Sequence, residues 1–327
     1  MSEVVVITGA SAGIGRACVR EFAKRRCKIG LVARGQDGLE GAQREVESLG
    51  GEAIVLPTDV SDHEAVERAA NAVEERFGPI DVWVNDAFTN VFAEFLDIEP
   101  DEYRRVTDVT YLGFVWGTRA ALRRMMPRNR GTIVQVASAV TYRSIPLQAA
   151  YSGSKAAIRG FTDAIRCELY HHESNVHMCS VNMPAVNTPQ FSWNRAKLPR
   201  KPQPVPPIYQ PEVAARAVYY AAHHRRREVT VGSSSLIAIN ANKFAAGLLD
   251  RYLGATGYDA QQYDGGLEPG RPDNLYAPVP GDHGAHGDFD ARSKSESLEL
   301  AITTAPKLVG GFATALGLFL VAKALHR

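Results

Sequence analysis

Short apolar runs alternate with longer amphipathic segments over roughly the first 235 residues of the chain. Several of these runs are hydrophobic at consecutive positions, which is typical of parallel strands covered by helices on both faces. The pattern therefore predicts a doubly wound α/β sheet with helix-length segments between its strands. The strands are predicted at Val4 to Thr8, Ile29 to Ala33, Ala53 to Leu56, Val82 to Asn85, Thr132 to Ala137, Val176 to Val181 and Val229 to Val231.

The first predicted strand ends in a glycine-rich turn that leads directly into a helical segment. Ligands of such sheets bind outside the carboxyl ends of the strands. Glycine at positions 9 and 13 lets the backbone approach a pyrophosphate, and Gly15 permits close packing of helix on strand. An ordinary tight turn is the alternative, but the strand before it and the helix after it favour a dinucleotide site. The predicted contacts are Gly9, Ser11, Ala12, Gly13, Ile14 and Gly15.

Residues that follow the second and third strands indicate which dinucleotide the site would bind. The second strand is followed by Arg34, at the position where a carboxylate would bind both hydroxyls of the adenosine ribose. A guanidinium suits a 2'-phosphate instead, so the sequence favours NADPH over NADH, with a solvated loop charge as the alternative. After the third strand, Asp59 and Val60 place a carboxylate where it can accept a hydrogen bond from an adenine amino group.

Candidate chemistry lies at the fifth strand and the helical segment after it. Ser138 ends the strand, and Tyr151 and Lys155 share one face of the helix because they are four residues apart. A nearby ammonium favours the phenolate, so we expect it to lower the tyrosine pKa from about 10 towards working pH. Ser138 can then bond the substrate oxygen. Taken alone, the spacing of Tyr151 and Lys155 would also fit a pair of side chains on the surface of a helix with no catalytic role.

With these motifs the chain resembles the short-chain dehydrogenase/reductase family over about residues 3 to 235, roughly seven tenths of its length. The resemblance implies a Rossmann-like subunit of about seven strands that transfers a hydride between a nicotinamide and a carbonyl or alcohol. It implies that Tyr151 is the general acid/base, that Lys155 lowers its pKa and holds the ribose, and that Ser138 orients the substrate. It also implies homo-oligomerisation and cofactor contacts at Asp59, Val60, Asn85 and Ala87.

The sequence departs from that family at three places. Phe88 stands where the family has a glycine beside the cofactor. Thr110 stands where the family has its catalytic asparagine, and we expect a different proton relay because a hydroxyl lacks the paired donor and acceptor of an amide. Met183 and Pro184 replace a proline and a glycine out of phase, while Thr188 remains a predicted contact to the carboxamide.

The predicted function is interconversion of a carbonyl and an alcohol on a lipophilic substrate, with NADPH as cofactor. Few charges accompany the residues expected around the pocket, which are Val140, Tyr142, Ile145, Pro146 and Leu147. A proline-rich segment from Pro189 to Pro211, here called the lid, adds Phe191, Trp193 and Tyr209. A non-catalytic NADPH-binding sensor or scaffold is the alternative, made conceivable by Phe88 and Thr110.

Composition and charge exclude other classes. Apolar residues make up 45% and charged residues 22%, as in ordinary soluble proteins. The formal net charge is +1 and no basic block interleaves with aromatic residues, which argues against a nucleic-acid partner. Four cysteines without a CxxC pair and a strand-like amino terminus lead us to expect no metal site, no secretion signal and a reducing, cytoplasmic compartment. The cysteines are Cys18, Cys27, Cys167 and Cys179.

Composition also predicts three regions. Residues 1–250 are the expected dinucleotide-binding and catalytic domain, residues 251–298 a Gly/Pro-rich linker or extended arm, and residues 299–327 an apolar helix. The uncharged run from Leu308 to Ala322 is shorter than the roughly 20 residues that cross a bilayer, although preceding residues would lengthen it. We expect it either to attach the protein to a membrane or to pack on the body or on a partner subunit.

Overall fold

The computed structural model describes residues 2–304 of the chain. Its centre is a parallel sheet of seven strands in the order β7-β6-β5-β4-β1-β2-β3. The strands are β1 Val4–Thr8, β2 Lys28–Ala33, β3 Glu52–Pro57, β4 Val82–Asn85, β5 Thr132–Ser138, β6 His177–Met183 and β7 Glu228–Thr230. The predicted doubly wound sheet is confirmed, and no strand boundary differs from its prediction by more than two residues.

Helices cover both faces of the sheet. They are α1 Gly13–Ala23, α2 Gln36–Ser48, α3 His63–Phe77, α4 Pro100–Thr107, α5 Gly113–Arg128, α6 Ala149–His171, α7 Gln190–Trp193, α8 Pro211–His223, α9 Ser233–Ala260 and α10 Leu298–Thr304. A π-helical turn, Asp108–Leu112, joins α4 to α5. Consecutive side chains of β1 alternate between two hydrophobic clusters, because successive residues of a strand point to opposite faces. One cluster joins the sheet to α1, α2 and α8, and the other joins it to α3, α5 and α6.

Two further segments cover the carboxyl edge of the sheet. The lid contains α7 and the short strands Arg195–Ala196, Arg200–Pro202 and Ile208–Tyr209. Residues 261–297, here called the arm, follow α9 and pair with the lid through the short strands Gln262–Gly266 and Ser293–Lys294. Leu275 and Phe289 anchor the arm, since both side chains are buried. The arm therefore packs along the sheet edge.

The carboxyl-terminal end of the chain bears on two of the predictions. The predicted boundary after residue 250 falls inside α9, which continues to Ala260. The apolar run from Leu308 to Ala322 lies outside the described residues. Within residues 2–304, no helix combines the length and the apolar character needed to cross a membrane.

Candidate active site

The turn between β1 and α1 shows why its glycines are needed. Gly9 and Gly13 have φ angles of 77° and 58°, in the left-handed region that favours glycine. A Cβ atom on Gly15 would lie 2.2 Å from the carbonyl oxygen of Gly9, so helix and strand approach each other more closely than a side chain allows. The turn therefore brings the amino terminus of α1 directly onto the sheet edge.

A cavity of about 670 Å³ runs from this turn along the carboxyl ends of β1, β4, β5 and β6. The Thr8 hydroxyl helps to shape it by accepting hydrogen bonds from the N–H groups of Asp86 and Ala87, at 3.0 and 3.2 Å. Most of the predicted site residues line the cavity, namely Gly9, Ser11, Ala12, Gly13, Ile14, Arg34, Asp59, Val60, Ala87, Ser138, Tyr151, Lys155 and Thr188. The glycine turn and the tyrosine and lysine thus border one space.

Ser138, Tyr151 and Lys155 meet where β5 and α6 border the cavity. The Ser138 hydroxyl, at the end of β5, accepts a hydrogen bond from the Val140 N–H at 3.3 Å. Lys155 Nζ lies 5.6 Å from the centroid of the Tyr151 ring and donates to the carbonyl oxygen of Val136 at 2.8 Å. These contacts hold the lysine ammonium in a fixed position beside the tyrosine.

Burial dominates the acid–base behaviour of Tyr151. It raises the pKa of the phenol, while a hydrogen bond with Ser138 lowers that pKa and the Asp86 carboxylate raises it. The lowered pKa predicted from the sequence rests on the lysine charge alone, whereas burial and Asp86 act in the opposite direction. Burial also lowers the pKa of Lys155, and Asp86 raises it. Burial therefore favours the neutral phenol of Tyr151.

Asp86 is a site residue that sequence reasoning did not select. Its side chain borders the cavity, and a Cβ atom on Gly15 would lie 3.0 Å from its Oδ2. Burial raises the pKa of this carboxyl and the Lys155 ammonium lowers it. An acidic residue directly after a buried strand was a usable signal, because buried carboxyls cluster at functional sites.

Arg34 lines the nucleotide end of the cavity, and Arg105 lies near it without lining the cavity. Arg34 donates hydrogen bonds to the carbonyl oxygens of Asn274 and Leu275 in the arm. Arg105 donates to Asp59 at 2.5 Å and to the Leu275 carbonyl oxygen at 3.0 Å. Burial lowers the pKa of Arg34, and the neighbouring Arg105 charge lowers it further. The lining of this end therefore combines the Arg34 guanidinium with the Asp59 carboxylate.

Comparison with known proteins identifies the family. Residues 3–198, more than half of the chain, match the family described as short chain dehydrogenase. The chain belongs to this family. The match includes the glycine turn, Ser138, Tyr151 and Lys155, while the arm lies beyond it.

Named relatives agree with this short chain dehydrogenase assignment. The chain is 30% identical to the uncharacterized oxidoreductase YxnA of Bacillus subtilis (strain 168), over 84% of this chain and 78% of that protein. It is 32% identical to the 3-ketodihydrosphingosine reductase of Bos taurus, over 70% of this chain and 71% of the relative. An alcohol dehydrogenase from the archaeon Thermococcus sibiricus, complexed with 5-hydroxy-NADP, has a TM-score of 0.61 and 29% identity, with 71% of this chain and 96% of that chain covered. This short chain dehydrogenase is thus an oxidoreductase that acts on carbonyl or alcohol groups, which disfavours the non-catalytic alternative.

Two predicted cofactor contacts of this short chain dehydrogenase do not line the cavity. Gly15 is buried beneath Gly9 and serves the packing of the turn. Asn85 is fully buried: its Oδ1 accepts from Trp83 Nε1 at 2.9 Å and its Nδ2 donates to Gln135 at 3.0 Å. Asn85 therefore links β4 and β5 by hydrogen bonds, and its predicted contact with the cofactor stays a prediction.

Thr110 also lies away from the cavity. Its hydroxyl donates to the Thr89 carbonyl oxygen at 2.8 Å and accepts from the Thr89 N–H at 3.1 Å. Both bonds of the hydroxyl therefore go to the backbone of one residue, Thr89. Thr110 belongs to the π-helical turn, a feature that often marks functional sites. Thr110 does not line the cavity, and its predicted catalytic role stays a prediction.

The substrate side of this short chain dehydrogenase differs partly from the prediction. Val140, Ile145, Phe191 and Trp193 line the cavity as expected, whereas Tyr142, Pro146, Leu147 and Tyr209 do not. Another part of the wall comes from α9, which sequence reasoning did not assign to the site. Its apolar cavity-lining residues are Ile237, Ala238, Ala241, Leu249, Tyr252 and Leu253. No local signal pointed to α9, because its position depends on tertiary packing.

The cavity residues fit a nicotinamide dinucleotide. Within residues 2–304, the buried Oγ1 of Thr188 finds no hydrogen-bond partner, so it is available to a ligand group such as a carboxamide. A Cβ atom on Gly13 would lie 3.2 Å from the Thr188 side chain, so the narrow space between them suits a glycine backbone. The unpartnered hydroxyl, the glycine turn and Arg34 match the polar groups of the cofactor in kind.

Proposed function

We propose that the protein uses NADPH to interconvert a carbonyl and an alcohol on a lipophilic substrate, with Tyr151 as general acid/base. The observation that carries this proposal is the position of Ser138, Tyr151 and Lys155 in one cavity with the glycine turn and an apolar wall. The bound dinucleotide supplies or accepts the hydride. Its candidate contacts are the glycine turn, Arg34, Asp59, Lys155 and Thr188.

The side chains divide the remaining chemistry between them. Ser138 and Tyr151 present two hydroxyls from which the substrate oxygen accepts hydrogen bonds. Since burial raises its pKa, Tyr151 holds its proton at Oη and donates it to a carbonyl oxygen during reduction. In the reverse direction, the Lys155 ammonium and the Ser138 hydroxyl favour the phenolate that removes the proton from an alcohol.

Arg34 supports a preference for NADPH. The side chain lies at the end of β2 and borders the cavity. Arg105 lies nearby, but its charge is compensated by Asp59 and it does not line the cavity. A 2'-phosphate would gain charge-assisted hydrogen bonds from the Arg34 guanidinium, whereas a ribose hydroxyl would gain less.

The apolar wall supports a lipophilic substrate. Lid residues Phe191 and Trp193 face the cavity together with the α9 side chains. Arg143 also borders the cavity, but its guanidinium donates to Asn242 at 3.1 Å and to Asp250 at 2.6 Å. Its charge is therefore compensated, and the wall favours hydrocarbon over a phosphate or carboxylate. The name of the bovine relative, a 3-ketodihydrosphingosine reductase, supports the same class of substrate.

Three further predictions stay predictions. They are homo-oligomerisation, a cytoplasmic location and membrane contact through the apolar run from Leu308 to Ala322. The last of these concerns residues outside the described range.

A comparison of substrate classes tests the proposed function. The full-length protein is assayed for kcat/KM with long-chain ketones and aldehydes and with small polar sugars, each with NADPH and with NADH. We expect turnover of the lipophilic carbonyls with NADPH as the better cofactor. Faster turnover of the sugars would contradict the substrate class, and equal rates with NADH would contradict the cofactor preference.

A further inference from the structure

The arm crosses the nucleotide end of the cavity between Asn274 and Gly287, a stretch here called the strap. Its cavity-lining residues are Asn274, Pro278, Val279, Gly281 and His283. We propose that the strap is the second wall of the dinucleotide site and that an ion pair between Asp282 and Arg16 holds it closed. This inference rests on the proposed function, because it assumes that a dinucleotide occupies the cavity.

Arg16 is the fixed half of this ion pair. It lies in α1 and is 1% exposed, and its guanidinium pairs with both carboxylate oxygens of Asp282, at 3.0 and 3.2 Å. The same guanidinium donates to the carbonyl oxygens of Ser11 at 3.1 Å and Gly38 at 2.8 Å. Ser11 and Gly38 both border the cavity. The ion pair therefore joins the strap to the backbone that forms the nucleotide end.

The backbone of Gly41 leaves room for the carboxylate of the strap. A Cβ atom at Gly41 would lie 1.9 Å from Asp282 Oδ2 and 2.8 Å from Arg16 Nη2. Any larger residue would displace one of the two partners. Arg16 is buried and the Asp282 side chain is 33% exposed, so the bidentate pair joins a buried guanidinium to a partly exposed carboxylate for which Gly41 leaves room.

The strap also bonds the groups that are expected to hold the phosphates. The carbonyl oxygens of Asn274 and Leu275 accept from Arg34, the candidate 2'-phosphate ligand. The carbonyl oxygen of Gly284 accepts from the Gly13 N–H at 3.1 Å, in the turn expected at the pyrophosphate. The strap thus reaches both ends of the phosphate region while leaving the cavity between them open.

The far edge of the strap meets the lid. The Asn274 N–H donates to the carbonyl oxygen of Trp193 at 3.0 Å, and the rings of Trp193 and His283 lie 4.5 Å apart. At Gly287 a Cβ atom would lie 2.4 Å from the carbonyl oxygen of Thr188, so the chains touch at the backbone. Strap and lid together form a roof, and a dinucleotide beneath it leaves only when the strap lifts.

A dissociation experiment tests this role with a matched pair of variants. Full-length protein loaded with NADPH is mixed rapidly with excess NADP⁺, and the loss of bound-NADPH fluorescence gives the dissociation rate. We expect Asp282→Asn to speed dissociation by about tenfold, because a neutral amide loses the charge-assisted pair that holds the strap. The control, Glu268→Gln, removes an exposed arm ion pair with Lys201 at 3.0 Å outside the strap, and we expect no change in rate.

Hydrogen exchange on the wild-type protein gives a second readout, which does not depend on whether a variant folds. We expect amides of residues 274–287 to exchange more slowly when NADPH is bound, while exposed amides elsewhere in the arm do not change. Two results would overturn the strap proposal and leave the proposed function intact. One is an unchanged NADPH dissociation rate in folded Asp282→Asn protein. The other is a hydrogen-exchange rate of the strap amides that is the same with and without NADPH. Failure of the wild-type protein to bind NADPH would overturn the proposed function and the strap with it.

Discussion

The two ends of the cavity are built differently. At the catalytic end, Ser138, Tyr151 and Lys155 come from β5 and α6, and the buried carboxyl of Asp86 follows β4. At the nucleotide end, several arginines meet carboxylates and backbone carbonyls, and part of the wall comes from the distant strap. We infer that elements of the sheet position the catalytic side chains, whereas the proposed role of the strap is to hold the nucleotide. Changes at the two ends should therefore separate into effects on turnover and effects on binding.

We expect the largest difference between the effect on turnover and the effect on NADPH binding at Tyr151. Tyr151→Phe removes the proton donor but keeps the ring, so we expect kcat to fall by about 10²- to 10⁴-fold. The dissociation constant of NADPH, measured by fluorescence titration, should stay within about twofold since the phenyl ring preserves the wall. Tyr170→Phe is the control, because Tyr170 lies on the same helix and its side chain is 82% exposed. Comparable loss of activity in both variants would contradict the role of Tyr151.

At Arg34 we expect a smaller effect, on dinucleotide binding and not on turnover. We expect Arg34→Gln to weaken NADPH binding about tenfold more than NADH binding, or ~1.4 kcal/mol, since a charge-assisted bond to the 2'-phosphate is lost. The kcat with saturating NADPH should change little, because Arg34 lies at the nucleotide end. Arg76→Gln, an exposed change in α3, is the control. Equal weakening of both dinucleotides would show that Arg34 serves the strap and not cofactor selection.

The smallest expected effect is a shift of pH dependence at Asp86. Its carboxylate raises the pKa of Tyr151, so Asp86→Asn should lower that pKa. Reduction needs the protonated phenol and is lost as pH rises through the tyrosine pKa. The alkaline limb of the kcat profile should therefore move to lower pH.

The matching control for Asp86 is Asp97→Asn, which changes an exposed carboxyl outside the cavity. Its pH profile should coincide with that of the wild-type protein. An alkaline limb that stays in place in Asp86→Asn would contradict the proposed coupling between this carboxyl and Tyr151.

Local sequence pattern was sufficient for the sheet and for much of the catalytic end. The glycine turn and the spacing of Tyr151 and Lys155 depend on residues close together in the chain, and their helices present them to the strand ends. The side chain of Asn85 lies away from the cavity because side-chain direction alternates along β4. It points with Trp83 into the core, and the next residue, Asp86, borders the cavity.

The roof of the nucleotide end has no comparable local signal. Asp282 pairs with a residue 266 positions away, and Arg34 bonds a carbonyl oxygen 240 positions away. Contacts between backbone carbonyls and guanidinium groups produce no hydrophobic periodicity in the sequence. The Gly- and Pro-rich composition of the arm therefore indicates only that the segment is irregular. The sequence left two interpretations of that segment open, a linker or an extended arm. They differ only in whether the segment contacts the rest of the protein, which depends on the tertiary structure.

The central claim is that the cavity beneath the strap binds NADPH and uses Tyr151 to reduce a lipophilic carbonyl. It is tested most directly by a single-turnover experiment, in which protein saturated with NADPH is mixed with excess long-chain ketone. Our account predicts that the nicotinamide absorbance of the bound cofactor decays in the wild-type protein and persists in Tyr151→Phe. Tight binding of NADPH with no decay for any long-chain ketone or aldehyde would contradict the account.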